Sequence, residues 1–385
     1  MKVEFYKHPL GQEEIDSVAE VLRSTFLTSG PKTKAFEAQF AEYMRAKYCT
    51  GVTSWTMGGF IALKALELQD GDEVITTPMT FMATANIIIE AGLKPVFVDV
   101  EPGTGNIDCA LIERAITPRT RAILPVHLYG QMCDMRRMNA IAKKHKLAII
   151  EDCAHCVEGE RDGVKPGEFS DMAVFSFYAT KNLASGEGGA ITTNDEALYD
   201  RLLKLRLHGM NKSAADRYSV RFKHYDMEML GYKCNMFDIQ AAILLPQMPR
   251  LPERLARREE ICQMYAAGFR GVPGISIPDV LPKSVHGRHL FTILVDPEIR
   301  DEALSVLQDR GIGVAVNFRS INKLTYYKEH FNVPTGTFPN AERIGDSTIT
   351  LPLYTVLRQP EIDYVISEVK TVVAELMEKR AAAAV

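Results

Sequence analysis

A single lysine, Lys181, lies between the apolar run Ala173–Tyr178 and the loop Ser185-Gly186-Glu187-Gly188-Gly189, which has three glycines in four residues. A lysine at the end of a buried strand is pushed toward its neutral amine, because desolvation disfavours the ammonium form. A neutral amine beside a backbone free to adopt unusual conformations suits Schiff-base chemistry with a carbonyl. A solvated lysine at a strand end is the other reading of this segment alone.

A second segment bears on that choice. Ile149-Ile150-Glu151-Asp152 ends an apolar run in two carboxylates, followed by Cys153-Ala154-His155. The C-terminal edge of a parallel sheet is where α/β proteins bind ligands, so a carboxylate there faces a site. Pyridoxal phosphate needs an anion against its ring nitrogen to stay protonated and act as an electron sink. Asp152 and Lys181 would supply its two essential contacts. A phosphate dianion asks for backbone donors at a helix N-terminus together with hydroxyls. Thr53-Ser54-Trp55-Thr56-Met57-Gly58-Gly59, ahead of the helical run Phe60–Leu66, offers both. A plain helix cap would use the same residues.

Three motifs follow one another in order: Glu151 to His155; Phe175-Ser176-Phe177-Tyr178-Ala179-Thr180-Lys181-Asn182 with its glycine loop; and Gly231-Tyr232-Lys233-Cys234-Asn235-Met236 with Asp238-Ile239-Gln240-Ala241-Ala242. With them the chain resembles the DegT/DnrJ/StrS family of pyridoxal-phosphate nucleotide-sugar aminotransferases, over nearly its whole length. The resemblance implies the type I aminotransferase fold, and transfer of an amino group from an amino acid, L-glutamate in this family, to a ketone on a nucleotide-linked deoxysugar. It assigns Lys181 to the Schiff base and proton transfer, Asp152 to the ring nitrogen, Phe81 to the ring face and His155 to the ring hydroxyl. Thr56, with Met57 beside it, and Ser176 would hold the phosphate. Asn235, with Lys233 nearby, would reach the phosphate of a partner chain in a homodimer with shared sites. Ser29, Trp55, Tyr129, Lys233, His286, His289 and Arg319 fall where the family lines its substrate pocket. Trp55 departs from the small residue usual there. Two alternatives remain: an aminotransferase acting on a cyclitol or other ketone, and a non-catalytic pyridoxal-binding regulator.

Composition sets the frame. With 385 residues the chain exceeds one ordinary core. The net charge of −4 gives no electrostatic case for nucleic acid or an anionic membrane. No apolar run approaches the roughly 18 residues of a membrane span. The start, Met1-Lys2-Val3-Glu4-Phe5, lacks the apolar core of a secretion signal, so a cytoplasmic enzyme is expected. Seven cysteines show no disulfide framework, and Cys153-x-x-Cys156 has no second pair to complete a zinc site; no metal is expected.

Apolar spacing predicts helices over Gln12–Ser24, Pro31–Met44 and Gly231–Leu245. Strands are predicted at Val74–Thr77, Pro95–Val100, Arg121–His127, Ala148–Asp152, Ala173–Phe177, Ala190–Thr193 and Leu290–Val295. Buried runs alternating with helices mean a doubly wound, mostly parallel sheet. The expected division is a large α/β domain over 1–250, with an N-terminal helical segment, and a small α+β domain over 251–385.

Overall fold

The structure, a computed structural model, describes residues 1–211, 224–331 and 333–383. Its strands are β1 Tyr48–Val52, β2 Glu73–Thr76, β3 Lys94–Phe97, β4 Thr120–Ile123, β5 Ala148–Asp152, β6 Glu160–Arg161, β7 Met172–Ser176, β8 Gly189–Thr193, β9 Ser284–Val285, β10 Phe291–Leu294 and β11 Thr348–Leu351. Seven form one sheet in the order β1-β8-β7-β5-β4-β2-β3. The pairs from β3 through β7 are parallel, whereas β8 runs antiparallel to both β7 and β1. The expected doubly wound α/β sheet is present. β1 escaped the sequence reading because Tyr48-Cys49-Thr50-Gly51-Val52 is short and half polar.

Side chains alternate across the pleat. Ile150, Val174 and Ile191 pack with Ile61, Ala62, Ile87 and Leu202, from the helices Trp55–Ala65, Ala83–Glu90 and Glu196–Leu205. On the opposite face Ala173 and Phe175 meet Phe36 and Phe40 of helix Pro31–Tyr43, while Ile149 meets Met138 of helix Met135–His145. Each fully buried side chain of this kind contributes about 1.5–3 kcal/mol of transfer free energy.

This topology creates a common edge. Asp152 and Ser176 end neighbouring parallel strands, Gly189 begins the antiparallel strand beside Ser176, and Val52 pairs with Gly189. Helix Trp55–Ala65 starts three residues beyond Val52.

One predicted helix is shorter than expected. Of Gly231–Leu245, Leu245 opens a 3-10 turn and only Asp238–Leu244 is α-helical. Residues before it are extended, because their backbone is committed elsewhere. Tyr232 N–H donates to Leu205 O, Cys234 N–H to Arg206 O, and Cys234 O accepts from Thr53 N–H. Asp238, buried, caps the neighbouring helix Pro31–Tyr43 by accepting from the amides of Gly30, Lys32 and Thr33.

The C-terminal portion has its own apolar core, built from helices Leu251–Phe269, Pro297–Asp309 and Gln359–Ala383 with the antiparallel pair β10–β11. Val3 belongs to this core, and its backbone bridges Ile312. The chain's first residues therefore pack with the C-terminal core, although the sequence reading had grouped them with 1–250. The last helix continues through Lys379 to Ala383; residues 384–385 lie outside the described residues. No helix among the described residues is long and apolar enough to cross a membrane.

Candidate active site

Asp152 is buried at the C-terminal end of β5. Its Oδ2 accepts from the Thr84 hydroxyl at 2.9 Å and its Oδ1 from the Ala154 amide at 3.1 Å. Thr84 donates there, so the Thr80 hydroxyl, 2.8 Å away, donates to Thr84 in turn. Burial raises the Asp152 carboxyl from 3.8 to about 6, against the Ala154 amide, the Thr84 hydroxyl and the charge of Lys181. Burial lowers the Lys181 amine from 10.5 to about 8, opposed by the Asp152 anion. Some Lys181 surface reaches solvent, but protein crowds the amine itself, and Nζ lies 3.4 Å from His289 Nε2.

Aromatic groups line the approach. Phe81 is an exposed ring, 52% accessible, 5.9 Å between centroids from Phe318. Phe318 stacks on His155 at 5.7 Å, and His155 lies 4.4 Å from His289. His155 Nδ1 accepts from the Tyr129 amide at 3.2 Å, and burial keeps its ring neutral.

Hydroxyls and amides gather at the first turn of helix Trp55–Ala65. Ser54 caps it, its Oγ accepting from the Met57 amide at 3.2 Å. Thr56 is exposed one residue earlier, and first-turn amides have no intrahelical carbonyl. Ser176 Oγ accepts only a long bond, 3.4 Å, from the Tyr178 amide. Gly189 brings the glycine loop against this turn: a Cβ there would stand 2.7 Å from the Ser54 carbonyl carbon and 2.8 Å from Phe175 O. The arrangement suits pyridoxal phosphate, for three reasons on these residues. Among the described residues a buried carboxylate has no cation hydrogen-bonded to it, a large aromatic face is exposed, and a crowded amine tends to neutrality.

Several expected substrate residues stand elsewhere. Trp55 is buried under its own helix, with Nε1 donating to Val174 O at 3.1 Å and its ring near Gly59. Where a small residue is expected there stands an aromatic whose side chain is buried in the core. Tyr129 is also buried, its hydroxyl donating to Asn317 O. His286 Nδ1 accepts from the Arg288 amide at 3.0 Å, and burial lowers it to about 3. Ser29 donates to Met236 O and accepts from Asn235 Nδ2 at 2.8 Å; Lys233 Nζ donates to Asn235 Oδ1. Asn235 thus sits in a polar knot with Thr28, Ser29 and Lys233 of its own chain. Arg319, exposed, follows Phe318 and has no hydrogen bond or ion pair among the described residues. The sequence analysis assigns no role to Thr84, Asn182, Glu158 and Arg258. Asn182 lies inside the lysine motif and Thr84 three residues after Phe81, whereas nothing local marks the last two.

His127, Glu151 and Cys153 also converge, with one ligand-type atom each within 4.8 Å. Their chemistry is already satisfied. His127 Nδ1 accepts from the Cys133 amide, so Nε2 carries the proton and donates to Glu151 at 2.6 Å. Glu151 Oε1 takes the Gly167 amide and the Ser170 hydroxyl. A metal would have to displace these bonds.

Comparison with known proteins agrees with this geometry. The chain is 44% identical over 375 residues to the spore coat polysaccharide biosynthesis protein SpsC of Bacillus subtilis, covering 96% of each. Spr1654 of Streptococcus pneumoniae in its PLP form superposes with a TM-score of 0.91 at 32% identity, over 97% of this chain and 99% of that one. Its PMP form gives 0.92. PseC of Helicobacter pylori, an aminotransferase involved in the biosynthesis of pseudoaminic acid, gives 0.91 at 29% identity over 97% and 100% of the two chains. Residues 9–370 match the DegT/DnrJ/EryC1/StrS aminotransferase family, and the chain belongs to that family as a pyridoxal-phosphate-dependent aminotransferase.

Proposed function

We propose that the enzyme moves an amino group from an amino acid, L-glutamate, to a ketone on a nucleotide-linked deoxysugar, making an amino sugar for a surface polysaccharide or natural product. The observation that carries the sugar is likeness over whole chains to SpsC, named for spore coat polysaccharide biosynthesis, with PseC and the sugar aminotransferase Spr1654 in support.

Pyridoxal phosphate, when bound, supplies an electron-withdrawing ring that makes a carbon-bound proton of the attached substrate acidic. The residues of this chain do the rest. Asp152 would hold the proton on the ring nitrogen, and the Thr84 hydroxyl fixes its carboxylate. Lys181 would hold the cofactor through its amine, and Nζ, when free, would serve as the group that takes up and returns the substrate's proton. Phe81 bears on the ring face, where offset stacking contributes about 0.5–1.5 kcal/mol beyond burial. His155, whose Nδ1 is taken by the Tyr129 amide, would offer Nε2 to the ring hydroxyl. Thr56 and Ser176 give hydroxyls to the phosphate, and Asn235 of the partner subunit completes that cup.

Adding L-glutamate to purified enzyme should convert the cofactor's absorption from the aldehyde to the amine form. A panel of nucleotide-linked keto sugars should then reverse it for one or a few members. Reversal by a free cyclitol ketone, and by no nucleotide sugar, would replace the substrate assignment and leave the chemistry standing. The shared site is tested by mixing two defective chains, Lys181→Ala and Asn235→Ala/Lys233→Ala. Heterodimers should recover up to about half of wild-type activity, since one of two sites is whole. No recovery in verified heterodimers would place the phosphate cup within one chain.

A further inference from the structure

We propose that His289 is a positioning residue for Lys181, a neutral imidazole whose Nε2 lone pair holds the lysine amine, and that Asn182 sets its tautomer. The inference rests on Lys181 being the cofactor-binding lysine. A chain of hydrogen bonds runs inward from the amine. Lys181 Nζ lies 3.4 Å from His289 Nε2, and His289 Nδ1 lies 3.4 Å from Asn182 Oδ1. The Asn182 amide cannot be turned over. Its Nδ2 donates to Glu158 Oε2 at 2.9 Å and to Gly287 O at 2.6 Å, and neither acceptor would tolerate the amide oxygen. Oδ1 must therefore face His289, which makes Nδ1 the protonated nitrogen and leaves Nε2 as an acceptor.

The chain ends in a buried ion pair. Glu158 Oε1 meets Arg258, both side chains almost fully buried, so the carboxylate that anchors Asn182 is itself held. His289 is fixed from behind as well, its own amide donating to Tyr129 O at 3.1 Å. The charged and titratable groups facing Lys181 are Asp152, His155 and His289; those facing His289 are Lys181, His155 and Arg258. Burial and the surrounding cations hold His289 neutral. An imidazole lone pair receives a bond from ammonium more strongly than from amine, so it favours the protonated lysine and opposes the desolvation that lowers it. Removing the acceptor should shift Lys181 further down.

Nuclear magnetic resonance of full-length protein with 15N-labelled histidine, freed of pyridoxal phosphate, reads the tautomer without any variant. Nδ1 should be protonated and Nε2 bare; a proton on Nε2 would overturn the proposal. Competitive acetylation, followed at the Lys181 peptide by mass spectrometry across pH, reads the amine directly. Against wild type, His289→Leu should move the midpoint down by about one pH unit, while His289→Gln, which keeps an acceptor, should stay near it. An unmoved midpoint in correctly folded His289→Leu would also overturn it. Borohydride reduction of the loaded wild-type enzyme separates the underlying reading: if the cofactor is fixed to a peptide other than that of Lys181, the lysine assignment fails first.

Discussion

Glu151 and Asp152 are neighbours at the end of one strand, yet they meet opposite fates. Successive residues of β5 point to opposite faces, so Glu151 enters the side lined by Ile149 and Asp152 the side lined by Ile150. Glu151 finds His127, Gly167 and Ser170, a closed set of donors. Asp152 finds one hydroxyl and one amide, and burial leaves its charge under-compensated. The pair teaches what separates a structural carboxylate from a functional one. Both are buried; only one still wants a cation, and a protonated pyridine ring would bring it.

The largest effect is expected where Lys181 faces Asp152. Lys181→Ala should reduce transamination by at least about 10³-fold, the scale of a lost acid–base group, with the fold retained. Steady-state rates and thermal melting on the same preparation check this, and full activity would end the assignment.

Asp152→Asn should keep bound cofactor and lose more than about tenfold in turnover, some 1.4 kcal/mol of barrier. Turnover within about threefold of wild type would mean Asp152 is not the ring partner. The variant also tests the carboxyl's raised value. A group raised from 3.8 to about 6 on folding makes the cofactor-free chain lose stability as pH climbs through that window. Pyridoxal phosphate supplies the missing cation, so its stabilisation of wild type should be larger at neutral pH than near pH 4. In Asp152→Asn that difference should flatten, as read by melting temperatures with and without cofactor.

Glu151→Ala probes the other pole. It strands buried donors on His127, Gly167 and Ser170, and should cost about 1–3 kcal/mol of stability. Turnover per folded molecule should stay within about twofold of wild type. A large turnover defect in stable protein would erase the distinction drawn between the two carboxylates.

Trp55→Phe gives the smallest effect. It removes the indole bond to Val174 O and should cost about 1 kcal/mol, with KM for either substrate unchanged. A shifted KM would return Trp55 to the substrate side.

Much of the site was legible because its chemistry is written in contiguous motifs. Asp152 ends an apolar strand and Lys181 follows one by five residues, so each needs only local pattern to be seen. The extended stretch before Asp238 was misread as helix because its backbone partners, Leu205, Arg206 and Thr53, are remote in sequence. Periodicity reports which side chains are apolar, not which distant carbonyls an amide will meet. Trp55 lies inward for a related reason: its indole finds the carbonyl of Val174, 119 residues away in sequence.

Sequence alone determined the α/β class and the alternation that buries a sheet on both faces, and it singled out Lys181 and Asp152 as candidates, since these follow from residue types and short spacings. Tertiary structure decided the remainder. It divided Glu151 from Asp152 by the pleat, brought Thr84 from another helix onto the functional carboxylate, and set His289, 108 residues from Lys181, against its amine. Such contacts depend on strand order and on where returning segments cross the sheet edge. Desolvation, which moves both key groups toward neutrality, exists only once those segments have closed around them.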